Sequence, residues 1–261
     1  MTPDSFSDGG RFLDPDAAVE HALRLASEGA DIIDVGGEST RPGAPEVPEE
    51  EELRRVIPVL SMLARSRFPV PISVDTCKAA VARAALDAGA QMVNDVRALA
   101  DAGMARVVAE SGVPVVLMHM RGTPRDMRER ATYGDVVGEV RAELAAAMAR
   151  AEEAGIRRER IVLDPGIGFA KTSEQSMEVL ARLPEFLSLG RPLFVGPSRK
   201  SFIGAITGAP PEERLAGTLA AVTAAVLGGA TFLRVHDVAA CRQAARVATA
   251  LRVSGGSGAN A

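Results

Sequence analysis

DIIDVG, residues 31–36, is a short apolar run, and GESTRPGA, residues 37–44, carries it into a polar stretch punctuated by glycine and proline. Helical spacing then opens over residues 48–65. An apolar run of this length bounded by turn residues reads as a strand, and apolar residues three and four apart read as a helix. The same unit recurs along the chain. The further runs are PISVD (71–75), QMVND (91–95), VVLMH (115–119), IVLD (161–164), LFVG (193–196) and FLRVH (232–236), and helical spacing fills 78–88, 104–111, 133–154, 174–187 and 212–227. Strands alternating with helices predict an α/β fold with a parallel sheet. Asp14 before Pro15 is an N-cap followed by a proline suited to the first helical position, and Gly29 and Gly89 stand where a helix should stop. Seven strands are one short of a closed (β/α)8 TIM barrel, and MTPDSFSDGG (1–10) reads like the loop after a strand. The expectation is therefore a barrel whose first strand is missing or truncated at the N-terminus. An open doubly wound sheet is the alternative. A barrel lacking a strand would expose unpaired edges, which predicts weak stability, aggregation or reduced activity.

Composition narrows the partners. The chain has 261 residues, 47% of them hydrophobic, enough to bury a large core, and a net charge of -4. With no run of Lys or Arg, nothing favours nucleic acid or an anionic membrane, so any anionic ligand must be held by local groups. Cys77 and Cys241 lie far apart without CxxC spacing, which argues against a disulfide framework or a thiolate zinc site. No leader pattern or membrane-length apolar run is present, so a cytoplasmic location is expected. Residues 1–253 read as one barrel, and the Gly/Ser/Ala/Asn-rich residues 254–261 as a disordered tail.

The polar residues fall in a pattern. Nearly every strand ends in groups that an apolar barrel has no use for: Asp34 with residues 37–41, Asp75 and Thr76, Asn94 and Asp95, His119, Asp164, residues 198–201, and Arg234 with His236. One Asp or Asn at a strand end is most often a cap or turn residue. Six or more tips together are different, because in a parallel barrel the C-terminal strand ends surround one mouth. Arg234 and His236 alternate and are expected to point the same way, and burying them without an anionic partner would be costly. Arg41, Arg234, His236 and the Thr40 hydroxyl suit a multiply charged oxyanion such as a diphosphate. Asp75, Asn94 and Asp164 beside Lys200 suit a planar heterocycle rich in N–H donors and ring nitrogens. The strand-to-helix passage from Gly196 to Ser201 offers backbone N–H groups to a carboxylate. Three histidines, two of them at tips, make a His-rich zinc centre a poor reading, and no GxSxG, P-loop or GxGxxG pattern is present.

Eight motifs carry a resemblance to a known family: TPDSFSDGG (2–10), DIIDVGGESTRPGA (31–44), SVDT (73–76), MVNDVRAL (92–99), VLMHMRGTP (116–124), DPGIGFAK (164–171), GPSRKSFIG (196–204) and RVHDV (234–238). In that order and over nearly the whole length, the chain resembles the dihydropteroate synthases, the pterin-binding enzymes that condense 6-hydroxymethyl-7,8-dihydropterin diphosphate with 4-aminobenzoate in folate biosynthesis. The resemblance implies a (β/α)8 barrel. It implies a pterin held by Asp75, Asn94, Asp164 and Lys200 with Met118, Phe169 and Gly196 beside it, and a diphosphate held by Thr40, Arg41, Arg234 and His236. It implies an aminobenzoate pocket of Ser5, Phe6, Thr40, Pro42, Phe169, Ser198, Lys200 and Ser201. Asp75, Asp164, Lys200, Arg234 and His236 are then the catalytic set.

The implied chemistry is loss of diphosphate to leave a cation delocalised into the pterin, followed by attack of the arylamine, with no protein nucleophile. Magnesium is the implied cofactor, although the Asn that contributes to its binding in the family would lie upstream of residue 1, so no metal ligand is assigned in this chain. A homodimer packed through barrel helices and competition by sulfonamides for the aminobenzoate pocket are also implied. Two other readings remain: a non-catalytic pterin-binding paralogue, and a methyltransferase acting between a folate and a corrinoid protein, against which GPSRKSFIG and RVH speak.

Overall fold

The computed structural model describes residues 14–66 and 68–256. Each apolar run forms a strand: β1 (Ile33–Gly36), β2 (Ile72–Asp75), β3 (Met92–Asp95), β4 (Val115–Met118), β5 (Ile161–Asp164), β6 (Phe194–Val195) and β7 (Phe232–Leu233). Neighbours pair parallel in chain order, β1 through β5 as one ladder and β6 with β7 as another, and a bridge between Leu163 and Leu193 joins the two. A doubly wound sheet reverses its strand order at a switch point. This order never reverses, as in a (β/α)8 barrel. Among the described residues β1 and β7 pair on one side only. The two ends still meet: Arg234, just past β7, donates to Asp34 in β1 at 2.7 Å, and the Arg242 side chain packs against Gly29. The strand expected to be missing would precede residue 1, and the loop read at residues 1–10 lies outside the described residues.

The helices are α1 (Pro15–Ser27), α2 (Glu49–Arg65), α3 (Ala79–Asp87), α4 (Met104–Ser111), α5 (Val136–Glu153), α6 (Ser173–Ala181), α7 (Ser201–Thr207), α8 (Leu215–Leu227) and α9 (Val238–Gly256). Their starts are chemical. Asp14 caps α1 by accepting from the Asp16 N–H, and Thr172 with Gln175 forms a reciprocal capping box on α6. Gly29 follows α1 with φ 98°, a conformation that costs other residues more. The helical spacing at 174–187 divides: α6 stops at Ala181, and Pro184, which lacks an N–H, opens a 3-10 segment, Leu183–Leu189. The α9 helix runs through Gly256, past the tail boundary expected at residue 254. No described helix is long and apolar enough to cross a membrane.

Alternation along each strand sorts the core. Val74, Val93, Leu117 and Leu163 point outward beneath the helices in the main cluster. Ser73, Met92, Val116, Val162, Phe194 and Phe232 share the opposite parity, and Met92, Val116 and Val162 pack as a second cluster with Ile32, Phe194 and Phe232. That second cluster is a plug inside the barrel. Two residues further along the same strands, still pointing inward, stand Asp34, Asp75, Asn94, Met118, Asp164, Gly196 and Arg234.

Candidate active site

The layer above the plug opens into a cavity of about 860 Å³ at the C-terminal ends of the strands. Asp34, Asp75, Asn94, Met118, Asp164, Gly196 and Arg234 line its floor, and register brings them level: Asp75 stands opposite Asn94, and Met118 opposite Asp164. Thr40, Arg41 and Pro42 of the β1–α2 loop, Phe169 of the β5–α6 loop, Ser198, Lys200 and Ser201 of the β6–α7 loop, and His236 line the walls. Every candidate residue inside the described part of the chain therefore borders one cavity. Ser5 and Phe6 lie outside the described residues.

Arg234 organises the floor. Its Nε donates to Asp34 Oδ2 at 2.7 Å and its NH2 to Asp75 Oδ2 at 2.9 Å, while Asn94 Nδ2 donates to the same Asp34 oxygen at 3.1 Å. The anionic partner expected for Arg234 is thus the protein's own pair of carboxylates. Part of the guanidinium stays available, since 46% of the side chain is open to the cavity. His236 bonds a different residue from those that Arg234 bonds: its ring meets Ser198 Oγ at 2.9 Å, and its backbone N–H donates to the same hydroxyl at 3.3 Å.

Burial sets the charge states. Asp75 is pushed up to about 7 by desolvation, against which the Arg234 charge works. Asp164 is raised by the same cause to about 6, although the Gly166 N–H donates to its Oδ1 at 2.7 Å. Lys200 is lowered to about 8 by burial, with the Asp164 charge opposing. Burial also works against the Arg234 cation, but Asp34 and Asp75 outweigh it and hold the guanidinium charged. Two carboxylates and an amine that all titrate near neutrality in one cleft are a mark of a chemical site.

The loops are fixed by residues outside the candidate binding and catalytic set. Asp34 appears in the sequence only as one polar tip among many. Arg199 adopts φ 56° and pairs through two nitrogens with Asp237, at 3.0 and 2.6 Å, so Ser198 and Lys200 are displayed from a braced turn. Asp95, also a polar tip, does not face the cavity: its carboxylate accepts from the backbone of Arg97 and Leu99 and supports left-handed Ala98 and Leu99. His119 likewise sits behind the wall, between Lys171 and Glu143. Strand parity could have flagged these last two, since residues 95 and 119 fall off the inward register.

Comparison with known proteins agrees with the geometry. A family model described as pterin binding enzyme matches residues 1–236. The dihydropteroate synthase of Synechocystis sp. is 50% identical over 252 residues, covering 96% of this chain and 87% of that protein. Among solved structures, a Yersinia pestis dihydropteroate synthase in complex with a sulfonamide drug superposes with a TM-score of 0.93 at 44% identity, covering 97% of this chain and 91% of that one. A Xanthomonas albilineans dihydropteroate synthase with 4-aminobenzoic acid gives 0.89 at 52% identity, covering 96% and 90%.

Proposed function

The chain belongs to the pterin-binding enzyme family, and from its place among the dihydropteroate synthases we propose how its cavity divides the work of that reaction. The reaction is the condensation of 6-hydroxymethyl-7,8-dihydropterin diphosphate with 4-aminobenzoate to 7,8-dihydropteroate and diphosphate. The pterin lies on the floor. Asp75, Asn94 and Asp164 meet its amino, ring N–H and ring nitrogen atoms, Lys200 covers it, and Met118, Phe169 and Gly196 border its faces. Thr40, Arg41, Arg234 and His236 take the diphosphate nearer the mouth. Aminobenzoate sits between Thr40 and Pro42 on one side and Phe169, Ser198, Lys200 and Ser201 on the other; Ser5 and Phe6, its remaining proposed contacts, lie outside the described residues.

One observation carries this reading: Arg234 bonds two of the floor carboxylates, Asp34 and Asp75, while its side chain remains partly open to the cavity. The same cation thereby touches the pterin end and the leaving-group end. In the first step the methylene C–O bond breaks and its electron pair leaves on the diphosphate, giving a methylene cation delocalised into the dihydropterin. Ionised Asp75 and Asp164 stabilise that cation, and Arg234 and His236 draw the departing charge toward the mouth. In the second step the arylamine lone pair forms the C–N bond and the nitrogen releases a proton to solvent. No protein nucleophile takes part.

Magnesium carries most of its ligands as water and substrate phosphate oxygens, so it needs few atoms from a protein. Among the described residues no three His, Cys, Asp or Glu side chains cluster around a metal position, but Asp34 Oδ1, at the cavity floor, is buried without a hydrogen-bond partner. That atom fits a magnesium ion held chiefly by the diphosphate. When bound, the ion neutralises leaving-group charge. We also propose a cytoplasmic location and a homodimer; the homodimer is supported by apolar side chains exposed on adjacent helices: Ile206 of α7, Leu227 of α8 and Leu251 of α9.

The test is diphosphate release from the pterin diphosphate with and without 4-aminobenzoate, on the wild type and on Arg234→Ala and Lys200→Ala. Aminobenzoate-dependent dihydropteroate formation is expected, with kcat/KM about 100-fold lower or worse in each variant. Pterin binding without turnover in the wild type would instead identify a non-catalytic paralogue.

A further inference from the structure

The cavity contains two lysines in opposite situations. Lys200 Nζ donates to no protein oxygen or nitrogen among the described residues and stands 4.1 Å over the Phe169 ring. Lys171 is different. Its Nζ lies 3.0 Å from His119 Nδ1, 3.1 Å from the Gly166 carbonyl and 3.1 Å from the Phe169 carbonyl. An ammonium has three donors, so these partners saturate it and leave none for a substrate.

The carbonyls it holds belong to the β5–α6 loop, which is bent sharply. Gly166, Gly168 and Ala170 have φ of 69°, 81° and 45°, and for alanine that conformation is strained. Tyr133 adds a fourth tie by donating its hydroxyl to the Ala170 carbonyl at 2.8 Å, while Arg121 stacks on the Tyr133 ring and bonds Glu143. The His119 ring is set by the same network: its Nδ1 accepts from Lys171, so its Nε2 carries the proton that Glu143 Oε2 accepts at 3.0 Å.

We propose that Lys171 is a positioning residue for the second substrate: its ammonium holds the β5–α6 loop in the strained shape that presents Phe169 to Lys200. This rests on the reading that Phe169 and Lys200 border the aminobenzoate. The clamp needs the cation, because a neutral amine has two donors and a lone pair and must release one of its three partners. Burial, the largest influence, lowers Lys171 to about 7. The groups facing it are Asp164 of β5, Glu143 of α5, Arg121 and His119 from the segment after β4, and Lys200 before α7. The cation is therefore lost, and the loop loosened, as pH rises through neutrality.

Steady-state kinetics from pH 6 to 9 on the wild type, Lys171→Met, Tyr133→Phe and Lys200→Ala test this. Lys171→Met is expected to raise KM for aminobenzoate about tenfold with a smaller change in kcat, and to lose an upward break in wild-type KM near pH 7. Tyr133→Phe, which removes one hydroxyl, should move KM the same way by a few-fold and keep the break. Wild-type KM and an unchanged pH profile in Lys171→Met would overturn the proposal. If that variant does not fold, an unchanged KM in Tyr133→Phe would overturn it too. Full activity of Lys200→Ala would instead sink the underlying reading of the site.

Discussion

Asp34 Oδ2 accepts from both Asn94 and Arg234, so one oxygen aligns the amide proposed to meet the pterin and the cation proposed to meet the diphosphate. Asp34→Asn keeps the shape but replaces the carboxylate charge that holds Arg234, and kcat/KM is expected to fall about 10- to 100-fold in the aminobenzoate-dependent assay, with little change in melting temperature. Gly166 makes a different demand. At φ 69°, a Cβ there would fall 2.0 Å from the His119 carbonyl oxygen, which is backbone and cannot step aside. Gly166→Ala is therefore expected to cost about 3 kcal/mol or more in denaturant unfolding, well beyond a surface substitution. The sequence shows both residues in suggestive places. It cannot show that Asp34 meets a partner 200 positions away, because strand parity reveals which way a side chain points and not what it will touch.

Elements are held over the mouth by groups away from the chemistry. Lys78, just before α3, bonds Glu38 in the β1–α2 loop and Glu52 at 2.6 Å in α2. Glu52 is fully buried, and its Oε1 has no hydrogen-bond partner among the described residues. In sequence the four glutamates 49–52 look like a solvated helix start, and their acidity does suit a helix N-terminus. Only the close approach of Gly37, where a Cβ would come within 2.9 Å of Glu52 and Val56, shows how tightly the loop lies on α2. Lys78→Met strands a buried carboxylate, so a stability loss of about 3–5 kcal/mol is expected by thermal or denaturant melting. The seven strands and most helices were legible because their apolar spacing is regular. The start of the short α7 was legible in the passage from Gly196 to Ser201 but its extent was not, since it is only seven residues long, and α9 was obscured by exposed Val247, Leu251 and Val253, which blur its polar face.

For the molecule as a whole, a site sunk in a barrel mouth links proton uptake to ligand binding. Asp164 and Asp75 hold protons more tightly in the folded chain than an exposed aspartate does, with values raised to about 6 and about 7. Their contribution to stability is present at low pH and lost as pH rises through those values. Binding of a pterin whose N–H groups need ionised acceptors runs the opposite way, so calorimetric affinity for the pterin should rise between pH 5 and 8, and Asp164→Asn should flatten that rise. Stability and ligand affinity then have opposing pH slopes in one window. The alternation of strands and helices could be read from the sequence because it repeats regularly, whereas the order of strands that makes it a barrel and the charge states of its site could not, since they depend on pairing and on depth. The bond between Arg234 and Asp34 also has a temporal meaning. A ribosome delivers Asp34 long before Arg234, so the nascent chain can pair β1 through β5 while its cavity floor still lacks a cation. Catalytic competence waits for β7 and the residue just past it, and turnover therefore reports the joining of β7 to β1 more stringently than any local probe of the early strands.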